Sequence, residues 1–193
     1  MLSETEIISR LSVALAPKRF AHTLGVKKAA CLMAQSAGGD VYNAGIAALL
    51  HDCAKCITDD KIQEMLETSD ISVADDELTA PNVLHAPCGV LVAKAEYGVL
   101  DNEILGAIRW HTVGKKDMSL TEKIIFTADM IEEGRKPFEG IEDIRRAAYG
   151  GNIDLAVLMS AKSSCAYVRK CGGTPCKSTL ELIESLKTVR EGI

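Results

Sequence analysis

The chain has 193 residues, of which 47% are apolar, 25% are charged and only 4% are aromatic. This length and balance exclude a fibrous repeat or a disordered tail, and they predict one globular domain over residues 1–193. The net charge of −5, without a block rich in lysine and arginine, argues against general nucleic-acid binding, which depends on neutralising phosphates.

The sequence shows neither a membrane span nor a secretory signal. No run of about 18 apolar residues is present, and the start Met1–Glu6 lacks the basic and apolar stretches of a signal peptide. The seven cysteines form no regular framework. We therefore expect a cytoplasmic protein with reduced thiols and without nucleic-acid or membrane partners.

Helix start and stop signals recur along the chain. In order, they predict helices opening at the capping box Ser3–Glu6 and then over 17–37, 40–51, 58–67, 87–97, 101–111, 119–134, 143–149, 152–170 and 178–189. The last of these opens at a third capping box, formed by Ser178 and Glu181. Residues 69–84 are predicted to be irregular, and no β alternation or internal repeat is found. The fold class is therefore predicted as all-α, in one compact helical bundle.

Histidines and carboxylates form a spaced series. The four histidines lie near predicted helix ends or on apolar faces, at His22, His51, His85 and His111. Asp52 follows His51 directly, and Asp129 lies inside an apolar helix, where a carboxylate needs a charged partner or a metal. Each residue alone has an ordinary structural explanation. The order His, His-Asp, His, His, Asp over separate helices predicts a metal site.

Five local motifs resemble the HD-domain metal-dependent phosphohydrolase superfamily, named for its adjacent His-Asp pair. They are Arg19–Val26, Ala48–Lys55, His85–Gly89, Ala107–Gly114 and Lys123–Arg135. The similarity is strongest to the YqeK-type branch, the symmetrical diadenosine tetraphosphate hydrolases of bacteria. It implies an HD-domain bundle with its motif-bearing core at about 17–135 and C-terminal helices at about 139–190. The departures are small and remove no ligand: they are Cys53, Val113 and Glu133.

The resemblance implies a dinuclear transition-metal site, with iron as the metal and manganese, nickel or zinc as alternatives. It assigns one metal to His22, His51, Asp52 and Asp129, and the other to Asp52, His85 and His111. A hydroxide held between two such metals would attack phosphorus, giving two ADP from diadenosine tetraphosphate. His51, Asp52 and Lys55 are the expected catalytic residues.

Side chains beside these ligands are candidate substrate contacts. They are Arg19, Lys55, Arg109, Thr112 and Arg135, of which Lys55 and Arg135 are favoured for phosphate. The alternative for each basic residue is a solvated charge or a partner for a helix C-terminus. Trp110 is a candidate for stacking on a base or for the core.

Several alternatives stay open. Cys53 and Cys56 have the C-x-x-C spacing of redox and zinc sites, and Cys171 and Cys176 would complete a zinc site, although the position directly after the His-Asp pair favours coincidence. The function is open to a nucleotidase or another phosphohydrolase acting on (deoxy)nucleotides. It is also open to a metal- or nucleotide-binding regulatory module with little turnover.

Overall fold

The computed structural model describes residues 1–191, and this part contains helices and no β-strand, which confirms the all-α prediction. Residues 192–193 of the predicted domain lie outside it. The helices are α1 Glu4–Ala14, α2 Pro17–Ala37, α3 Val41–Leu50, α4 Asp59–Glu67, α5 Asp75–Leu78, α6 His85–Tyr97, α7 Asn102–Trp110, α8 Leu120–Ile131, α9 Ile141–Tyr149, α10 Ile153–Lys170 and α11 Lys177–Glu191, with a 3₁₀ turn at Pro81–Val83.

Local capping explains where the helices that frame the core begin. Ser3 and Ser119 form capping boxes with Glu6 and Glu122, as predicted. Asp40 accepts a hydrogen bond, 2.9 Å long, from the backbone N–H three residues later. These bonds satisfy backbone donors that the first turn of a helix leaves unpaired. Gly38 ends α2 in the left-handed conformation, with φ of 69°, that glycine adopts without strain.

The third predicted capping box is wrong. Helix α11 begins at Lys177, so Ser178 lies inside its first turn, where its buried Oγ has no hydrogen-bond partner. The start of α11 is instead bonded by a distant residue, because the Lys177 N–H donates to Asp76 Oδ2 at 2.6 Å. A tertiary contact has replaced the local one.

Two further boundaries differ from the predictions. Helix α8 ends at Ile131 rather than at Gly134, because the Glu132 backbone turns to an extended conformation with ψ of 152°. The stretch 69–84, predicted as irregular, contains the short helix α5 and the 3₁₀ turn. The end of α8 and the 3₁₀ turn each contribute a residue to the cavity described below, Glu132 and Asn82.

Helix α3 lies at the centre of the core. All of its residues from 44 to 50 are buried, and α2, α7 and α8 pack against it. Full burial of a leucine such as Leu49 or Leu50 contributes about 1.5–3 kcal/mol. The end of α3, which carries His51 and Asp52, is therefore fixed in the middle of the molecule.

None of the helices in the described part combines the length and the apolar character needed to cross a bilayer.

Candidate metal centre

Five helices bring the six predicted metal ligands to one place. The ligands come from α2 (His22), the end of α3 (His51 and Asp52), the start of α6 (His85), the end of α7 (His111) and α8 (Asp129). Helix ends deliver four of them, because a side chain at the end of a buried helix reaches the space between its neighbours. The structure thus brings together residues up to 107 positions apart in the sequence.

The two carboxylate oxygens of Asp52 face different histidines. Oδ2 lies 3.4 Å from His51 Nε2 and 4.0 Å from His22 Nε2. Oδ1 lies 3.1 Å from His85 Nε2 and 3.7 Å from His111 Nε2. Asp52 therefore has ligand nitrogens on both of its sides.

Both aspartates of the cluster are ionised. Burial raises the pKa of Asp52, but His51, His111 and His85 outweigh it and hold that pKa well below its usual range. Burial likewise raises the pKa of Asp129, and neighbouring histidine and arginine side chains bring it below its ordinary value. Metal ligation needs the deprotonated carboxylate, so both residues are in the right form.

Two groups of three side chains bring their ligand atoms within 4.8 Å of one another: His22, His51 and Asp129 form one, and His51, Asp52 and His111 form the other. His51 Nε2 belongs to both because it lies between the carboxylates, 3.8 Å from Asp129 Oδ1. The shared member of these two groups is thus His51, whereas the predicted division shares Asp52.

Hydrogen bonds from Nδ1 orient the rings of His51 and His111 so that Nε2 faces the cluster. His51 Nδ1 donates to Ala48 O, and His111 Nδ1 donates to Ile108 O, each at 2.7 Å. Because a carbonyl only accepts, each Nδ1 carries a proton, and each Nε2 is the nitrogen that faces the cluster. The buried Nε2 of His51 forms no hydrogen bond, and the buried Nε2 of His22 lies 2.9 Å from Asp129 Oδ1. Imidazole lone pairs beside ionised carboxylates fit the transition metal that the resemblance implies.

Glu132 is a functional candidate that the sequence reasoning missed. Its side chain is buried, and Oε1 lies 3.0 Å from His22 Nδ1. It was missed because an acidic residue next to Glu133 at a helix end is typical of a solvated surface. The sequence feature that could have indicated its role is its place inside the motif that runs from Asp129 to Arg135.

His85 lies in a different environment. Its Nδ1 is 3.0 Å from Lys55 Nζ, which also donates to Asn82 O at 3.4 Å. Burial lowers the pKa of His85 to about 4, although the Asp52 carboxylate opposes the shift. Burial also lowers the pKa of Lys55 from its ordinary value.

A cavity of about 850 Å³ opens over the cluster, and five of the six predicted ligands line it, all except His51. Its basic lining residues are Lys18, Arg19, Lys55, Arg135 and Lys136. Its aromatic lining residues are Phe126, Phe138 and Tyr167. The cavity thus joins a site for metal to cationic and apolar surfaces.

Four of the five predicted substrate contacts line this cavity: Arg19, Lys55, Thr112 and Arg135. Arg19 is paired with Asp52 Oδ2 at 2.7 Å. Arg135 is paired with the Asp129 carboxylate and also donates from Nε to Asp129 O at 2.7 Å. The buried Oγ1 of Thr112 has no hydrogen-bond partner.

Arg109, the fifth, does not line the cavity. One terminal nitrogen of its buried guanidinium donates to Glu77 Oε1 at 2.9 Å and to Ser72 O at 3.2 Å. The other lies 2.9 Å from Glu77 Oε2 in an ion pair, and the guanidinium lies 4.1 Å above the ring of Trp110. The structure thus places Arg109 in a buried ion pair away from the cavity, and its role as a substrate contact stays a prediction without support from this geometry. Trp110 is half-buried and also lies outside the cavity lining.

The cysteines form no part of the metal-capable groups among the described residues. Cys53 and Cys176 are buried, whereas Cys56 and Cys171 are exposed, and all four are free thiols. The C-x-x-C spacing thus agrees with coincidence rather than with a zinc site.

Comparison with known proteins places this arrangement in a family. The HD domain model matches residues 19–134, which include all six predicted ligands. A symmetrical bis(5'-nucleosyl)-tetraphosphatase of Halalkalibacterium halodurans is 39% identical over 160 residues, 81% of this chain and 82% of the relative. A second, of Bacillus subtilis, is 33% identical over 171 residues, 88% of this chain and 89% of the relative.

A solved structure agrees with these relatives. It is described as a predicted HD superfamily hydrolase involved in NAD metabolism from Clostridium acetobutylicum. The two chains are 36% identical and superpose with a TM-score of 0.91, over 97% of this chain and 98% of the other. The resemblance inferred from the five motifs is confirmed: the chain belongs to the HD domain family and is a hydrolase.

Proposed function

We propose that the protein cleaves diadenosine tetraphosphate symmetrically to two ADP. The observation that best supports this proposal is the lining of the cavity. It combines ionised carboxylates and imidazole nitrogens with several lysines and arginines. This arrangement suits a substrate with several phosphates, because the lysines and arginines attract an anion even though the whole chain is acidic. The names of the relatives from Halalkalibacterium halodurans and Bacillus subtilis support the choice of substrate.

The proposed cofactor is a pair of transition metals, with iron as the metal. His22, His51, Asp52 and Asp129 would hold one, and Asp52, His85 and His111 would hold the other. The support for a shared Asp52 is that its two oxygens face different histidines. When bound, such metals supply a water of lowered pKa and neutralise charge on phosphate oxygens.

The chain's own cations bind and orient the polyphosphate in this proposal. Lys55 lies beside the cluster and can donate to a phosphate oxygen from its half-buried position. Arg19 and Arg135 hold carboxylates at the cavity floor, so their remaining N–H groups are available to phosphate. The Thr112 hydroxyl, which has no partner, is a further donor.

We further infer that the protein works in the cytoplasm. All seven cysteines are free thiols, and Cys56 and Cys171 are exposed. Exposed thiols persist in a reducing compartment, and this supports the inference.

Product analysis tests the function. The purified protein is loaded anaerobically with iron, its metal content is measured, and diadenosine tetraphosphate is added. Ion-exchange chromatography is expected to find ADP alone. AMP with ATP would overturn the position of cleavage. No turnover by metal-loaded protein would overturn the substrate, in favour of another nucleotide or of a binding module.

A further inference from the structure

Glu132 occupies an unusual place for an acidic residue. It follows the last residue of α8, its backbone is extended, and only 4% of it is exposed. A buried carboxylate is costly unless it is fully hydrogen-bonded. Each of its two oxygens has a defined partner: Oε1 lies 3.0 Å from His22 Nδ1, and Oε2 accepts from the Gly134 N–H at 2.6 Å.

We propose that Glu132 is the positioning residue that makes His22 a metal ligand. A carboxylate oxygen accepts from a ring N–H, so the contact holds a proton on His22 Nδ1 and turns Nε2 toward the cluster. That Nε2 is buried and lies 2.9 Å from Asp129 Oδ1. A carboxylate behind a histidine fixes the ring and makes it a stronger donor. The inference rests on the proposed metal centre, and not on the proposed substrate.

The approach of Glu132 to α2 depends on a glycine. Gly25 lies three residues after His22, on the same face of α2. A Cβ built at Gly25 would overlap Oε2 of Glu132. Glycine is otherwise unfavourable inside a helix by about 1 kcal/mol relative to alanine. Its presence here is explained by the space that the carboxylate needs.

The backbone on both sides of the α8 end is held as well. Arg145 of α9 donates from Nε to Ile131 O at 2.9 Å and from one terminal nitrogen to Glu132 O at 3.0 Å. These carbonyls end α8 and have no helical partner of their own. Arg145 therefore fixes the point from which the Glu132 side chain reaches α2.

Manganese affinity tests the proposal without using turnover. Mn²⁺ binding is measured by competition with a chelator in wild type, Glu132→Ala, Glu132→Gln and Gly25→Ala. Loss of a carboxylate that hydrogen-bonds a metal ligand costs about 10–100-fold in metal affinity, so the Mn²⁺ affinity of Glu132→Ala is expected to fall by that factor. The Mn²⁺ affinity of Glu132→Gln is expected to fall less, because the amide oxygen still accepts from His22. Gly25→Ala is expected to behave like Glu132→Ala, because the methyl group displaces the carboxylate.

The double variant Gly25→Ala/Glu132→Ala gives the sharpest result. With the carboxylate already removed, the alanine at position 25 has nothing to displace, so the double variant is expected to bind Mn²⁺ as weakly as Glu132→Ala and no more weakly. The matched control is Glu133→Gln, since the neighbouring Glu133 is 73% exposed in its side chain and pairs with Lys28 at the surface. Its affinity is expected to equal that of wild type.

A spectroscopic readout separates positioning from a general structural role. Long-range ¹H–¹⁵N spectra of the metal-free protein report whether each ring nitrogen of His22 carries a proton. Wild type is expected to keep a proton on Nδ1, and Glu132→Ala is expected to lose this preference while its circular dichroism stays unchanged.

Three results would overturn the proposal: unchanged Mn²⁺ affinity in Glu132→Ala, an equal loss in Glu133→Gln, or additive losses in the double variant. If Glu132→Ala fails to fold, Gly25→Ala decides alone, because alanine favours the helix. Failure of wild type to cleave diadenosine tetraphosphate would leave this inference standing, since it concerns metal affinity.

Discussion

On its two sides, Asp52 faces histidines that lie in opposite surroundings. Behind His22 lies the buried carboxylate of Glu132, at 3.0 Å from Nδ1, whereas behind His85 lies the amine of Lys55, also at 3.0 Å. A negative partner strengthens an imidazole as a metal donor, and a positive one weakens it. The donor strength of a histidine is thus decided by the partner of its other nitrogen, and we expect the His22 side to bind metal more tightly than the His85 side.

Asp52→Ala removes the residue that both metals would share in the proposed site. We expect turnover to fall by on the order of 10⁴-fold, as for a residue that acts within a catalytic unit. Metal content per chain, measured by plasma mass spectrometry, is expected to fall with it. A variant that is active and free of metal would refute the assignment of the whole cluster.

Arg109→Ala tests a part of the molecule that lies outside both sides of Asp52. Because it leaves Glu77 buried without its partner, the free energy of unfolding is expected to fall by about 3–5 kcal/mol, measured by urea denaturation. The control is Arg146→Ala, whose side chain is 79% exposed and pairs only at the surface. Below the melting temperature, KM is expected to stay unchanged, and a large rise in KM would restore Arg109 as a substrate contact.

Lys55→Met tests substrate binding and metal binding separately on the His85 side of Asp52. Loss of a charged hydrogen bond to phosphate costs about 1.5–3 kcal/mol, so KM for diadenosine tetraphosphate is expected to rise roughly 10–100-fold. Mn²⁺ affinity is not expected to fall, because the cation behind His85 is gone. Lys61→Met, at an exposed lysine, is the control. Weaker Mn²⁺ binding in Lys55→Met would contradict the contrast with Glu132.

Graded chelation compares the two sides directly. As chelator concentration rises, one equivalent of metal is expected to leave at about 10-fold lower chelator than the second. His85→Ala is expected to remove the weaker step and His22→Ala the tighter one, as followed by metal analysis after desalting. Loss of both equivalents in a single step would show that the two sides are equal.

Much of the fold could be predicted because its signals are local. Capping residues such as Ser3 and Asp40, and stop signals such as Gly38, act within one turn of the chain. The predicted start at Ser178 is wrong because the decisive contact, from Asp76 to Lys177, joins distant segments. No local pattern reports such a contact.

The candidate site divides in the same way. The types and the order of the six predicted ligands could be read from the sequence, and the structure brings all six together. The surroundings of these residues could not be predicted. An arginine beside a histidine motif, such as Arg109, resembles a phosphate contact until its buried partner Glu77 is known. Glu132 was missed for the converse reason, because burial turns an ordinary surface residue type into a partner of His22.

The extended backbone at Glu132 opens the segment 132–140, and this segment also carries Arg135, Lys136 and Phe138 into the cavity. One short stretch of chain therefore contacts His22, a proposed metal ligand, at its beginning and lines the cavity beyond it. We expect any shift of the stretch that accompanies substrate binding to reach the His22 ring. Thermodynamic linkage then requires reciprocity: the factor by which substrate tightens metal is the factor by which metal tightens substrate.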